Sequence, residues 1–212
     1  IAEKNPRSIG INVSSDFALA DGLTHGEYQG LIGALSNEQE SRVVSAERLA
    51  IAWLEARTEE EMELYPSIVK IAHDIIKEGF SNTVITPGKT TTEDVMWWYR
   101  DRVRELRLVT WFHPSVSIQR DQKNIEEFLD LFSDTETEGV ILPGDLLHVD
   151  FGITYLRLNT DTQQHAYVLK QGESDAPAGI RAGLATSNRL QDILTENFVL
   201  KRTGNEILRA AR

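Results

Sequence analysis

Two aspartates in a β-rich segment are the residues of this sequence best placed to do chemistry. Asp150 lies within Leu146-Leu147-His148-Val149-Asp150-Phe151, and Asp161 opens a second extended stretch from Thr160 to Leu169. Pro143-Gly144-Asp145 supplies turn chemistry ahead of the first stretch. The two stretches predict an antiparallel hairpin turning near Tyr155 and Leu156, which sets the carboxylates facing each other across the ladder. Opposed side chains on one face lie about 4.5–5.5 Å apart at Cβ, so two ionised carboxylates there repel. A shared proton or a cation between them relieves that cost. A hard or borderline divalent ion held by carboxylate oxygens is the natural resolution. Spacing alone leaves a second reading open, because acidic proteins also carry unrelated aspartates at strand ends.

The residues around the pair carry more information. Asp150-Phe151-Gly152, followed by Asn159-Thr160-Asp161, resembles the metal-binding hairpin of the pita-bread metallopeptidases, the family of methionine aminopeptidase, Xaa-Pro aminopeptidase and prolidase. Ile85-Thr86-Pro87-Gly88 with Thr92-Glu93-Asp94-Val95, and the stretch from Trp111 to Ile118, extend the resemblance upstream, so that it covers residues 58 to 212. It implies an α+β fold, the first half of a pita-bread (creatinase/aminopeptidase-like) domain of mixed helices and antiparallel strands. It also implies that Asp150 and Asp161 are metal ligands for a pair of divalent ions, with Mn, Co, Zn and Fe all compatible with carboxylate-rich donors. The substrate implied is a peptide, cleaved at its first bond, and a homodimer is among the expectations.

The same resemblance implies one further histidine and two glutamates after the hairpin. No histidine follows His165, and Glu173, Glu196 and Glu206 fall in loop or helix contexts. The expectation is therefore a fragment of a dinuclear peptidase of the Xaa-Pro aminopeptidase or dipeptidase kind, inactive as it stands. No histidine lies between Asp121 and Leu147, a departure from the methionine aminopeptidase branch. A non-catalytic pita-bread interaction module is the alternative, and metal-free creatinase-like hydrolysis a third. His113, beside Pro114 in a strand predicted over Val109 to Ile118, is the candidate substrate-binding residue.

Composition narrows the rest. The 212 residues carry a net charge of −11, and the isoelectric point is near 4.9, which argues against a phosphate-tracking surface and hence against nucleic acid. With no cysteine there are no disulfides, thiolate ligands or cysteine nucleophiles. No apolar run approaches the roughly 20 residues a membrane helix needs. Cytoplasm and periplasm both remain open. The first residue is Ile1, so a longer gene product is expected.

Several elements must position the pair. Residues 1–45 hold an alternating strand near Ile9 and a helical piece from Leu23 to Leu35, expected to be the C-terminal remnant of a smaller α/β creatinase-like domain. Residues 46–212 are expected to form the catalytic-domain half. There, Ser45 is expected to cap a helix, and Thr58 and Glu61 make a capping box for the next one. Its predicted stripe is Met62, Tyr65, Val69, Ala72 and Ile76, with Pro66 expected to kink or cut it. A helix begins at Thr91 and buries Val95, Trp98, Tyr99, Val103 and Leu106, broadened by Trp97. A short amphipathic piece from Ile125 to Phe132 precedes the hairpin, and amphipathic helices follow it from Ile180 and from Thr203.

Overall fold

A computed structural model describes residues 3–121 and 139–212; the amphipathic piece expected over 125–132 lies outside them. The chain divides into two compact units, Ile1–Glu63 and Leu64–Arg212.

In the first unit, β1 (Ile9–Ile11) pairs in parallel with β2 (Val43–Ser45). Between them lie α1 (His25–Gly33) and α2 (Asn37–Glu40), each opened by a reciprocal capping box, Thr24 with Glu27 and Ser36 with Gln39. Helix α3 (Glu47–Glu55) follows. Its N-cap is Ala46, not Ser45, because the Ser45 hydroxyl is turned onto the Val13 carbonyl and accepts from the Glu47 amide.

Helix α4 (Glu59–Gly79) starts at the predicted box: the Thr58 amide donates to Glu61 Oε2 at 2.8 Å, and the Glu61 amide to Thr58 Oγ1 at 3.2 Å. Pro66 does not cut it; one helix runs through. The buried stripe is Ile68, Ala72, Ile75, Ile76 and Gly79, displaced from the predicted one, and Met62 is 56% exposed. The shift has a local cause. Gly79 has no side chain where the Tyr99 ring of α5 (Thr92–Glu105) presses in, and that contact selects the face α4 turns inward. The Tyr99 hydroxyl donates to the Ile76 carbonyl at 3.2 Å. On α5, capped by Thr91 and Asp94, Val95, Tyr99 and Val103 are buried. Trp97 is 52% exposed and Leu106 is exposed, so neither belongs to the buried face.

A three-stranded antiparallel sheet completes this core, in the order β3 (Ser115–Gln119), β4 (Leu146–Phe151), β7 (Thr162–Tyr167). Successive side chains of a strand point to opposite faces. Leu147, Val149 and Phe151 of β4 accordingly enter the core with Tyr99 and Ile76, while Leu146, His148 and Asp150 face the other way. Between β4 and β7 the chain forms a two-stranded ribbon, β5 (Thr154–Tyr155) with β6 (Leu158–Asn159). After the sheet come α6 (Ala178–Glu196) and α7 (Gly204–Ala210), the latter opened by a Thr203–Glu206 box. None of the α6 side chains is buried. Among the described residues no helix is long and apolar enough to cross a membrane.

Candidate functional site

Strand β4 is central in its sheet, and the register of both its neighbours is continuous. Asp150 pairs with Ser115 on β3 and Gln163 on β7; His148 pairs with Ser117 and His165. The face away from the core is therefore a polar strip of serines, imidazoles, an amide and a carboxylate. The predicted hairpin forms, with its turn one residue later than expected. Leu156 and Arg157 both have positive φ, 49° and 66°, as the two central residues of a tight hairpin turn with matching twist require. That single step moves Gln163, not Asp161, directly opposite Asp150. Asp161 lies two residues from Gln163 on the same strand path, which makes it the diagonal neighbour of Asp150 across the ladder. Diagonal positions remain within reach of longer side chains.

The two carboxyls do interact. Burial pushes the Asp150 carboxyl above its usual range; the neighbouring Asp161 charge, and a hydrogen bond to Asp161 that needs a proton, push the same way, with His148 opposing. Among the described residues, Asp150 Oδ1 is buried with no hydrogen-bond partner. A buried oxygen normally finds a partner, since leaving it unmet costs about 1–3 kcal/mol. An acceptor-only oxygen so placed, beside a second carboxylate, suits a divalent cation with a preference for oxygen donors. Among the described residues no group of three or more His, Cys, Asp or Glu side chains stands close enough to enclose an ion. These residues thus fit one side of a coordination shell rather than a whole one.

How Asp161 is held was not legible in the spacing. The Thr160 amide donates to the Ile153 carbonyl at 2.9 Å, the Ile153 amide to Thr160 Oγ1 at 3.0 Å, and Trp111 Nε1 to the Thr160 carbonyl at 2.8 Å. Tyr65 donates its hydroxyl to the Asn159 carbonyl, and Thr154 Oγ1 to Asn159 Oδ1 at 2.7 Å. Gly152 makes the approach possible: a Cβ there would collide with the Thr160 carbonyl and sit 2.5 Å from Trp111 Nε1. The one sequence signal for this clamp was a glycine directly after Asp150-Phe151.

His113 lies just before β3. Its Nδ1 is 2.9 Å from Arg100 Nη1, and a guanidinium can only donate, so Nδ1 accepts. Its ring meets Trp97 edge-on at 6.0 Å, and Arg100 stacks over Trp97 at 5.3 Å. Among the described residues its polar and ring contacts are thus to α5, not to the aspartates.

No family model matches the sequence, and no curated protein matches it. Solved structures do match by fold. An X-Pro aminopeptidase from Thermotoga maritima MSB8 aligns with a TM-score of 0.64 at 12% identity, covering 99% of this chain and 53% of its own. Prolidase from Pyrococcus furiosus aligns at 0.62 and 15%, covering 90% and 51%. Prolidase from Thermococcus sibiricus aligns at 0.56 and 13%, covering 90% and 48%. The chain therefore has the α+β fold of the pita-bread peptidases over about half the length of those structures.

Proposed function

We propose that Asp150 and Asp161 are the carboxylate part of a divalent-cation site of the Xaa-Pro aminopeptidase and prolidase type. On this reading the 212-residue chain carries an incomplete share of a metal-dependent peptidase. The observation that carries it is the buried Asp150 Oδ1, unpartnered among the described residues, beside a second carboxylate. The fold shared with X-Pro aminopeptidase and prolidase structures supports it.

Asp150 and Asp161 would hold the ions implied by the fold. Divalent ions so held supply Lewis acidity and bring the pKa of water toward neutrality. The chain's own part is positional. The Gly152, Trp111 and Thr160 clamp fixes where the Asp161 backbone leaves the ribbon, and the central strand fixes Asp150. Because the Asp150 carboxyl holds its proton more tightly than usual, a cation and a proton compete for it, and cation affinity falls as pH drops through its titration. The bond attacked would be the first peptide bond of a short peptide, including an imide bond before proline.

The test is a calorimetric titration of Mn²⁺ into the protein and its Asp161→Asn variant, with release of the first residue from an Xaa-Pro peptide as second readout. Binding that disappears in the variant, without hydrolysis by the 212-residue chain, is the expected result. Absence of Mn²⁺ binding in the parent would favour the interaction-module reading. Hydrolysis by the chain alone would overturn the incomplete-site reading.

A further inference from the structure

The polar strip holds a second set of ligand atoms that the carboxylate pair does not use. His148 on β4 and His165 on β7 are directly opposed in the register. Their ring centroids are 4.9 Å apart, with planes tilted by 49°. His148 Nε2 lies 3.0 Å from Gln163 Oε1. An amide oxygen only accepts, so in the neutral ring Nε2 carries the hydrogen and Nδ1 the lone pair. An outer hydrogen bond of this kind, on the nitrogen away from the ion, fixes the tautomer of a metal-binding histidine.

We propose that His148 and His165 form a two-imidazole chelate for a nitrogen-preferring divalent transition ion, on the same sheet face as the aspartate pair but built from different donor atoms. The separation suits this. Imidazole nitrogens ligate at about 2.0–2.1 Å. With the ring centre about 1.1 Å farther out, two rings on one ion at 90–109° have centroids roughly 4.5–5.2 Å apart. Both rings stand on the side of the sheet away from the core, His165 exposed and His148 half-buried, so an ion reaches them from solvent. Donor type separates the two sites: carboxylates suit Mn²⁺, whereas imidazoles suit Cu²⁺, Ni²⁺ and Zn²⁺, with Cu²⁺ bound most tightly. Two protein ligands leave other coordination positions to water, so binding is reversible and exchangeable.

The experiment is titration of Cu²⁺ into the purified protein, read by calorimetry and by the nitrogen hyperfine pattern in its electron paramagnetic resonance spectrum. A thermal melt of each variant without metal controls for folding. One Cu²⁺ bound by two imidazole nitrogens is expected. His165→Gln and His148→Gln should each remove one nitrogen and weaken binding by more than the roughly tenfold that loss of an outer partner causes. Gln163→Ala should weaken it about tenfold with both nitrogens kept. Asp161→Asn should leave the Cu²⁺ spectrum intact while Mn²⁺ binding is lost, which separates this site from the proposed peptidase site. A two-nitrogen spectrum unchanged in both histidine variants overturns the proposal, as does loss of Cu²⁺ binding in Asp161→Asn.

Discussion

Asp145 and Asp150 bracket the same strand, and the fold treats them in opposite ways. Asp145 is fully buried at the turn into β4, and every oxygen is used: Arg120 Nε donates to Oδ1 at 2.6 Å, Arg120 Nη2 to Oδ2 at 2.7 Å, and the Leu142 amide to Oδ2 at 2.7 Å. The same guanidinium also reaches the Val140 carbonyl at 2.5 Å. This carboxylate ties β3, the turn and β4 into one unit. Asp150, at the far end of the strand, has a buried oxygen with no partner among the described residues, and a like-charged neighbour. One carboxylate has both oxygens partnered by the chain; among the described residues, the other has an oxygen without a hydrogen-bond partner. Burial alone therefore does not separate the two carboxylates; satisfaction of their oxygens does.

The contrast can be broken most directly at the closed end. Asp145→Ala strands a guanidinium that is only 13% exposed, together with a buried amide. Removing one member of such a pair costs about 3–5 kcal/mol. Denaturant unfolding should show a loss in that range. A loss below about 1 kcal/mol would place Asp145 among weak surface pairs and end the comparison.

Next in size is the clamp beside the open end. Gly152→Ala pushes a methyl group against the Thr160 carbonyl and Trp111, neither of which is the free end of a flexible chain. Overpacking of this kind costs about 1–3 kcal/mol. Calorimetry should also find weaker Mn²⁺ binding, because Asp161 follows Thr160 directly. A variant that loses stability but keeps full affinity would show that the clamp does not position the carboxylate.

Asp150→Asn should move stability the other way. The folded carboxyl binds its proton more tightly than the unfolded one, with a reference pKa of about 3.9. The stability this group contributes is therefore fully present below about pH 3.9 and is lost as pH rises through its folded value. At pH 7 without metal, the amide variant should be the more stable by up to about 1 kcal/mol, the scale of cross-strand charge pairs. The advantage should shrink as pH falls toward 4. A variant less stable than its parent at pH 7 would contradict the unmet, repelled carboxylate.

The smallest effect belongs to an exposed ion pair away from the sheet. Lys70 and Asp74, one turn apart on α4 at 2.5 Å, are both largely solvated. Lys70→Ala should change stability by no more than about 0.5 kcal/mol. A larger change would mean that solvated pairs matter here too, blurring the distinction drawn from Asp145.

Much of the local structure could be read from short-range chemistry. Thr58 with Glu61, Thr91 with Asp94 and Thr203 with Glu206 all cap helices, because a side chain and an amide three residues apart need no distant partner. The hairpin and its two candidate carboxylates were legible for the same reason: turn residues and β-rich stretches lie adjacent in the chain. The α+β class followed from the resemblance around Asp150 and Asp161.

Tertiary structure decided what depended on partners far away in sequence. Which stripe of α4 turned inward was set by Tyr99 against Gly79, a contact no helical period encodes. Trp97 looked like core by spacing but lies outside it, alongside His113 and Arg100. Arg120 was invisible as the partner of Asp145, since pairing them needs β3 beside β4. The register of the hairpin moved by one turn residue, and a one-residue change is all that separates an opposed carboxylate from a diagonal one. Periodicity names the face a residue belongs to; only packing selects the neighbour it meets there.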